Sequence, residues 1–190
     1  MNLVEFLLWT PANPTNGSEQ IIQFGDEKSL SESNFDSTRK TKVLVHGYTD
    51  NGRSYWIQDM RDEFFKLGDF NIISVDYYPL GIGPHYPLAA ENAQPVGYHA
   101  AEFIRFLVDT TNAKLEDFHP IGFSLGGQVV GNIGHGLDGE LPRVSGLDPA
   151  GFMFHTVTDT ERLSKLSAKF VDVIHTAGLW KGMDEPVANE

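Results

Sequence analysis

The chain has 190 residues, enough for one well-buried domain and short for two. Its formal net charge of −12 argues against nucleic acid as a partner and against electrostatic capture by anionic membranes. Neutral lipid surfaces stay open, because hydrophobic contact dominates there. Cysteine is absent, which excludes disulfides, thiolate metal sites and a cysteine nucleophile. No apolar run approaches the ~20 residues that span a bilayer.

The start of the chain, through Leu7, Leu8 and Trp9, lacks a basic leader region and a small-residue cleavage site, and Glu5 interrupts its apolar stretch. It reads as a first strand ended by Pro11 and Pro14, with Gln20 to Phe24 continuing the N-terminal strands. The polar stretch through Arg39 and Lys40 reads as a loop. Lys42 to Gly47 is a buried strand ending in a turn, and Ser54 is placed to cap a helix through Trp56, Met60, Phe64 and Phe65. Asn71 to Asp76 is a strand, Pro79 to Pro87 a proline- and glycine-rich loop, and Gln94 to Thr110 a helix with Val96, Ala100, Phe103, Ile104 and Leu107 at core-facing spacing. Asp117 to Ile121, Arg143 to Leu147 and Lys169 to Ile174 complete the strands. Strands alternating with helices predict one α/β domain with a mostly parallel sheet and helices on both faces.

Gly122-Phe123-Ser124-Leu125-Gly126 falls where a strand hands over to a helix, the context that a nucleophile elbow requires. The tight turn predicts a strained backbone at Ser124, with its hydroxyl pushed out over the sheet edge. In the helix that follows, Gly127, Gly131 and Gly134 share one side, each costing about 1 kcal/mol relative to alanine. That load predicts a helix laid backbone to backbone against the sheet.

Working residues of open α/β sheets sit at the carboxyl ends of strands. Four such ends carry polar groups here: His46-Gly47-Tyr48, Ser124, Asp148 and His175. A serine hydroxyl needs a histidine to take its proton, and that histidine needs a carboxylate to hold its tautomer. Asp148, just past a strand end and before Pro149, is the candidate acid. The N–H groups of Leu125 and Tyr48 are candidate oxyanion donors. His46 reads as fixing its loop by hydrogen bonding. With the order serine, acid, histidine, only His155 and His175 follow the acid. His155 lies in a polar stretch, and His175 reads better as a buried histidine satisfied by its neighbours than as the base.

These motifs resemble the pancreatic lipase family of α/β hydrolases, and the likeness runs almost end to end. Lys42 to Tyr48 looks like that family's strand and oxyanion loop, and Ile72 to Tyr77 like its I-x-V-D-W segment with Tyr in place of Trp. Gly122 to Gly126 is similar to its G-H-S-L-G elbow, Gly146 to Gly151 to its acid loop, and Phe170 to Thr176 to a later strand. The resemblance implies a partial α/β-hydrolase domain over residues 1–190, with the C-terminal part of the fold missing. It implies Ser124 as nucleophile, Asp148 as acid, and Tyr48 and Leu125 as oxyanion donors. It places the catalytic histidine beyond the Phe170 to Thr176 strand, outside this chain, so that His175 is a poor candidate base.

The expectation that follows is a secreted serine ester hydrolase acting on acylglycerols through an acyl-enzyme, weak or inactive as this polypeptide alone. Its partner is a neutral lipid or phospholipid substrate at an interface, with no nucleic acid, no transmembrane segment and no cofactor. Phospholipase A1 is one alternative; a non-catalytic lipid-binding protein of the yolk-protein type is another. Several residues depart from the family pattern. Phe123 and Gln128 stand where histidines are common, and Pro120 removes a strand N–H beside the nucleophile. Calcium-binding members carry L-D-x-x-D-A-K-F where this chain reads Leu163 to Phe170, with Ser164 and Ser167 in place of the carboxylates and Lys165 adding a positive charge. Calcium needs several hard, mostly anionic oxygens, so no metal site is expected.

Overall fold

A computed structural model describes residues 3–177. Seven strands form one sheet in the order β2-β1-β4-β3-β5-β6-β7. They are β1 (Glu5–Trp9), β2 (Gln20–Ile22), β3 (Thr41–Val45), β4 (Asn71–Asp76), β5 (Phe118–Phe123), β6 (Val144–Leu147) and β7 (Val171–Ile174). β1 runs antiparallel to both neighbours, and every pairing from β4 to β7 is parallel. The helices are α1 (Glu27–Ser31), α2 (Tyr55–Leu67), α3 (Tyr78–Gly81), α4 (Tyr86–Glu91), α5 (Ala93–Thr110) and α6 (Leu125–Gly136).

A parallel strand covered on both faces needs a nearly continuous apolar run, and β4, Asn-Ile-Ile-Ser-Val-Asp, is buried at every position. Alternation along the strands then divides the core in two. Leu8, Val43, Val45, Ile73 and Val75 face α5 and α6, where Val96, Phe103, Ile104, Val129 and Ile133 meet them. Leu7, Trp9, Leu44, Ile72 and Ile121 face the other way, toward Ile57 on α2. Each such side chain stabilises the fold by about 1.5–3 kcal/mol when fully buried. The α5–α6 layer extends under Val144 and Val171. The α2 layer does not reach so far: Phe123 is 39% exposed and Ile174 57%.

Local readings fail where distant contacts decide. The stretch before β3 contains α1, whose first turn Asp26 caps by accepting the Lys28 N–H at 3.0 Å. The proline- and glycine-rich segment folds as α3 and α4, each with proline in its first turn, where the missing N–H costs nothing. Ser54 occupies the N-cap position of α2, yet its side chain makes no capping bond. Pro120 does not disturb the sheet. The β3–β5 register runs unbroken through Val43–Pro120, and β5 pairs with β6 only from Ile121 onward. The glycine side of α6 meets a loop rather than the sheet, with Gly131 against the backbone of Leu163 and Gly134 against that of Ser167.

Candidate active site

Ser124 joins β5 to α6 with φ 53° and ψ −117°, a conformation that a residue with a side chain adopts only when its surroundings hold it there. They hold it by close backbone approach. A Cβ at Gly122 would lie 2.1 Å from the Gly126 carbonyl oxygen, and one at Gly126 would lie 2.2 Å from that of Val45. The turn is then tied down on both sides. Ser124 donates its N–H to the Leu147 carbonyl at 2.9 Å, and its own carbonyl accepts the N–H groups of Gly127 and Ala150, each at 3.0 Å. The side chain is partly exposed at the carboxyl edge of the sheet.

Asp148 follows β6 as Ser124 follows β5, and it too has a positive φ, 47°. Its N–H donates to the Ile174 carbonyl at 2.7 Å. Its Oδ1 accepts the N–H of Thr176 at 2.9 Å and that of Ala177 at 2.8 Å. Partial burial pushes this carboxyl up. The N–H groups of Ala177 and Thr176, with the Thr176 hydroxyl and the His175 charge, outweigh it and hold the group below its ordinary value.

Gln128, fully buried on α6, joins three parts of the site. Its Nε2 donates to the Ala150 carbonyl at 2.6 Å, and its Oε1 accepts the Leu163 N–H at 2.9 Å. The departure from histidine at this position therefore leaves no unsatisfied amide; it clasps the loop after β6 and the following loop to α6.

His46 is a structural residue, as its position before the serine suggests. Its Nδ1 donates to the Gly47 carbonyl at 2.9 Å, and its Nε2 accepts the Tyr77 N–H at 3.0 Å. The Tyr77 ring stacks on the imidazole, and its hydroxyl donates back to the His46 carbonyl at 2.7 Å. This lock aims the next turn at the serine, since a Cβ on Gly47 would lie 3.2 Å from Ser124 Cβ. Tyr48 follows; its hydroxyl donates to the Gly83 carbonyl, and its ring meets Tyr86 edge-on. Tyr86 in turn packs on Phe152, which is 62% exposed. The sequence gives no local signal for this aromatic rim: Tyr86 lies in the proline- and glycine-rich segment, which reads as a loop, and Phe152 lies in a stretch with no periodicity.

Neither candidate histidine is hydrogen-bonded to Ser124 or Asp148 among the described residues. His175 is exposed just past β7, not the buried, satisfied histidine expected from the apolar run before it. Among the described residues β7 is the edge strand of the sheet, so the residue leaving it meets no described strand on its outer side. His155 is also exposed. Ser164 and Ser167 are buried and engaged locally. Ser164 Oγ donates to the Asp159 carbonyl at 2.8 Å, and Ser167 Oγ accepts the Ser164 N–H at 3.2 Å and lies 3.3 Å from His135 Nε2.

The family model described as Lipase matches residues 1–189. The chain belongs to the lipase family. It is 39% identical over 171 residues to pancreatic lipase-related protein 2 of Cavia porcellus, covering 90% of this chain and 39% of that protein. It is 38% identical over 173 residues to pancreatic triacylglycerol lipase of Homo sapiens, covering 91% and 36%. It is also 39% identical over 171 residues to inactive pancreatic lipase-related protein 1 of Mus musculus, covering 90% and 35%. It thus spans little more than a third of the length of these curated relatives. Among solved structures, esterase PE8 is 25% identical with a TM-score of 0.49, covering 72% of this chain and 68% of that one. The sheet, the strand–serine–helix elbow and the family match together make the fold a partial α/β hydrolase.

Proposed function

We propose that this lipase-family chain carries the nucleophile, the acid and the oxyanion hole of a serine ester hydrolase that acts on lipid esters, acylglycerols first. The observation that carries the reading is the strained backbone of Ser124 on a β5–α6 turn where Gly122 and Gly126 leave no room for a Cβ. Such strain is retained where a hydroxyl must project from a sheet edge. Ser124 Oγ attacks the ester carbonyl while a histidine takes its proton. The carbonyl oxygen, now negative, is held by the N–H of Leu125, the first residue of α6 and so outside the intrahelical ladder, and by the N–H of Tyr48. Collapse of the tetrahedral species breaks the ester C–O bond, and the histidine returns the proton to the departing alcohol. Water then hydrolyses the acyl-serine by the same route in reverse. Asp148 orients the histidine and stabilises its charge.

The base is the open role. We assign it to a histidine outside this chain, with His175 as the alternative within it, since Asp148 feels the His175 charge. Secretion and an interfacial lipid substrate belong to the same reading; the rim of Tyr48, Tyr86 and Phe152 supplies apolar contact beside the serine. Phospholipid esters are the alternative substrate. A second, non-catalytic reading is favoured by one observation: the relative named inactive is as similar as the others over the same span.

The test is stoichiometric labelling of Ser124 by a fluorophosphonate, with burst release from a p-nitrophenyl ester, for the native chain and for Ser124→Ala, Asp148→Asn, His155→Ala and His175→Ala. The proposal expects weak Ser124-dependent labelling and a weak burst or none for the chain alone, and full labelling with a full burst once a further histidine is included. A full burst abolished by one histidine substitution would name the base within the chain. Absence of any Ser124-dependent labelling, when a sequence extended to include a further histidine is equally inert, would favour the non-catalytic reading.

A further inference from the structure

Asn13 and Asn16, both in the β1–β2 connection, have opposite surroundings. Asn13 is buried and engaged at both ends of its amide. Its Oδ1 accepts the N–H and the hydroxyl of Thr10 at 3.2 and 2.7 Å, and its Nδ2 donates to the Leu8 and Ser18 carbonyls at 2.9 and 3.0 Å. Asn16 is exposed in the turn, and among the described residues its amide has no hydrogen-bond partner. The space around it is open. Pro14, Thr15 and Gly17 are exposed as well, and a Cβ added to Gly17 would meet nothing within 4 Å. Ser18 holds the turn together, its hydroxyl donating to the Thr15 carbonyl at 2.6 Å and accepting the Thr15 N–H at 3.0 Å. Asn16-Gly17-Ser18 is also the one Asn-x-Ser/Thr triplet of the 190 residues whose middle residue is not proline. Asn13-Pro14-Thr15 is barred from glycan transfer by its proline.

We propose that Asn16 is the acceptor of an N-linked oligosaccharide, transferred from a lipid pyrophosphate donor as the chain enters a secretory compartment. The inference rests on the secretion that belongs to the proposed function, not on Ser124 chemistry. Asn16 Nδ2 forms a bond to the anomeric carbon of the first sugar, the bond from that carbon to the pyrophosphate oxygen breaks, and the amide gives up one proton. The lipid pyrophosphate is the leaving group. Transfer requires a reactive asparagine amide with a hydroxyl at the second residue beyond it, which Ser18 supplies. The fold accommodates the product, because a bulky hydrophilic group on an exposed side chain displaces no packed residue and strands no buried polar group. Its position gives it a use. Glu5 pairs with Asp76 and Trp9 with Ile72, so β1 leaves the sheet at the edge opposite Ser124. From Ile72 to Asp76 the strand spans about 13 Å, which keeps the sugar away from a lipid surface approached through Ser124 and Phe152. The sugar also stands beside β2, the edge strand among the described residues, where Ile21 is exposed. Unpaired strand edges invite other chains, and a branched oligosaccharide at the turn leading into β2 obstructs that pairing.

The whole chain behind a cleavable secretory leader would be translated with microsomes, and its mass compared before and after peptide N-glycosidase in heavy-oxygen water. The expected result is the mass shift of a single glycan, removed by the glycosidase with heavy oxygen incorporated at Asn16 alone. Asn16→Gln and Ser18→Ala should each abolish the shift, and Ser18→Thr should keep it. Transfer acts on the emerging chain, so a variant that fails to fold still reports. Unmodified Asn16 in a chain whose leader has been cleaved would overturn the proposal and leave the hydrolase reading intact. So would a shift that survives Asn16→Gln, or aspartate at that position carrying only ordinary oxygen. The latter marks closure of the Gly17 nitrogen on the Asn16 side-chain carbonyl, with loss of ammonia and addition of water. Fluorophosphonate labelling should be the same for the glycosylated chain and for Asn16→Gln. Labelling lost only in the glycosylated chain would overturn the placement of the sugar away from Ser124; labelling absent from both would sink the hydrolase reading and leave the glycan standing.

Discussion

Ser124 donates its N–H to the carbonyl of Leu147 at 2.9 Å, which fixes the β5–α6 turn directly beside Asp148. Phe123 and Leu147 are partners in the parallel β5–β6 register, so Ser124 and Asp148 are the next residues of neighbouring strands, and both turn out of the sheet with positive φ. Adjacent strands lie about 4.8 Å apart, so the two side chains leave the same sheet edge in neighbouring positions.

The strain at Ser124 predicts a trade of stability against function. Glycine relaxes at φ 53° and ψ −117°, so Ser124→Gly should raise the unfolding free energy by about 1 kcal/mol while removing the hydroxyl. Urea denaturation of both forms tests this. Loss of stability in the glycine variant would mean that the turn is not strained.

Gly126→Ala should behave in the opposite way. Its Cβ would collide with the Val45 carbonyl at 2.2 Å, a backbone atom that cannot move alone. Destabilisation on the order of 1–3 kcal/mol or more is expected, with loss of fluorophosphonate labelling. A neutral substitution would contradict the close approach of α6 to β3.

Gln128→Leu keeps the volume but strands the Ala150 carbonyl and the Leu163 N–H inside the protein. A loss of about 2–4 kcal/mol should follow, with hydrogen exchange accelerated first at Leu163. Unchanged protection there would show that Gln128 does not clasp the loops.

His119 predicts the pH dependence. Burial first, then the charges of Lys42 and Arg143, push its imidazole from 6.5 down to about 3 in the folded chain. Where the unfolded state binds the extra proton, stability falls as pH falls, so this contribution is present above about 6.5 and lost progressively from there toward 3. Half-buried His99, also shifted down by burial, adds in the same direction. Asp148 and Asp172, held below 3.8, add their losses only lower in the range. The unfolding free energy should decline between pH 6.5 and 4 by at most about 1.4 kcal/mol per pH unit for each proton, lowering the thermal midpoint with it, and His119→Gln should flatten that dependence. Equal slopes in the two proteins would refute the assignment.

Calcium should leave the thermal midpoint unchanged, since Ser164 and Ser167 bring no charge and their hydroxyls are occupied within the loop. A concentration-dependent rise would reveal a site built from other oxygens.

The sequence alone determined the parts whose physics is local. Continuous apolar runs specified β3, β4 and the strand into the elbow; the spacing of Val96, Ala100, Phe103 and Leu107 specified α5; and Gly-x-Ser-x-Gly between a strand and a helix specified the turn at Ser124. The positions of Ser124 and Asp148 at one sheet edge followed from strand ends and parallel order. Tertiary structure decided what depends on neighbours distant in the chain. His175 is exposed because, among the described residues, β7 is the edge strand of the sheet, a fact of sheet order that no run of residues encodes. Gln128 reads as a lost histidine until Ala150 and Leu163, 22 and 35 residues away, supply its partners. Lys42 looks like an ordinary strand-end cation until register brings His119, Ser145 and Asp172 into one line beside it. Backbone preference acts over a few residues, whereas hydrogen-bond satisfaction and burial are settled only when strands from across the chain are laid side by side.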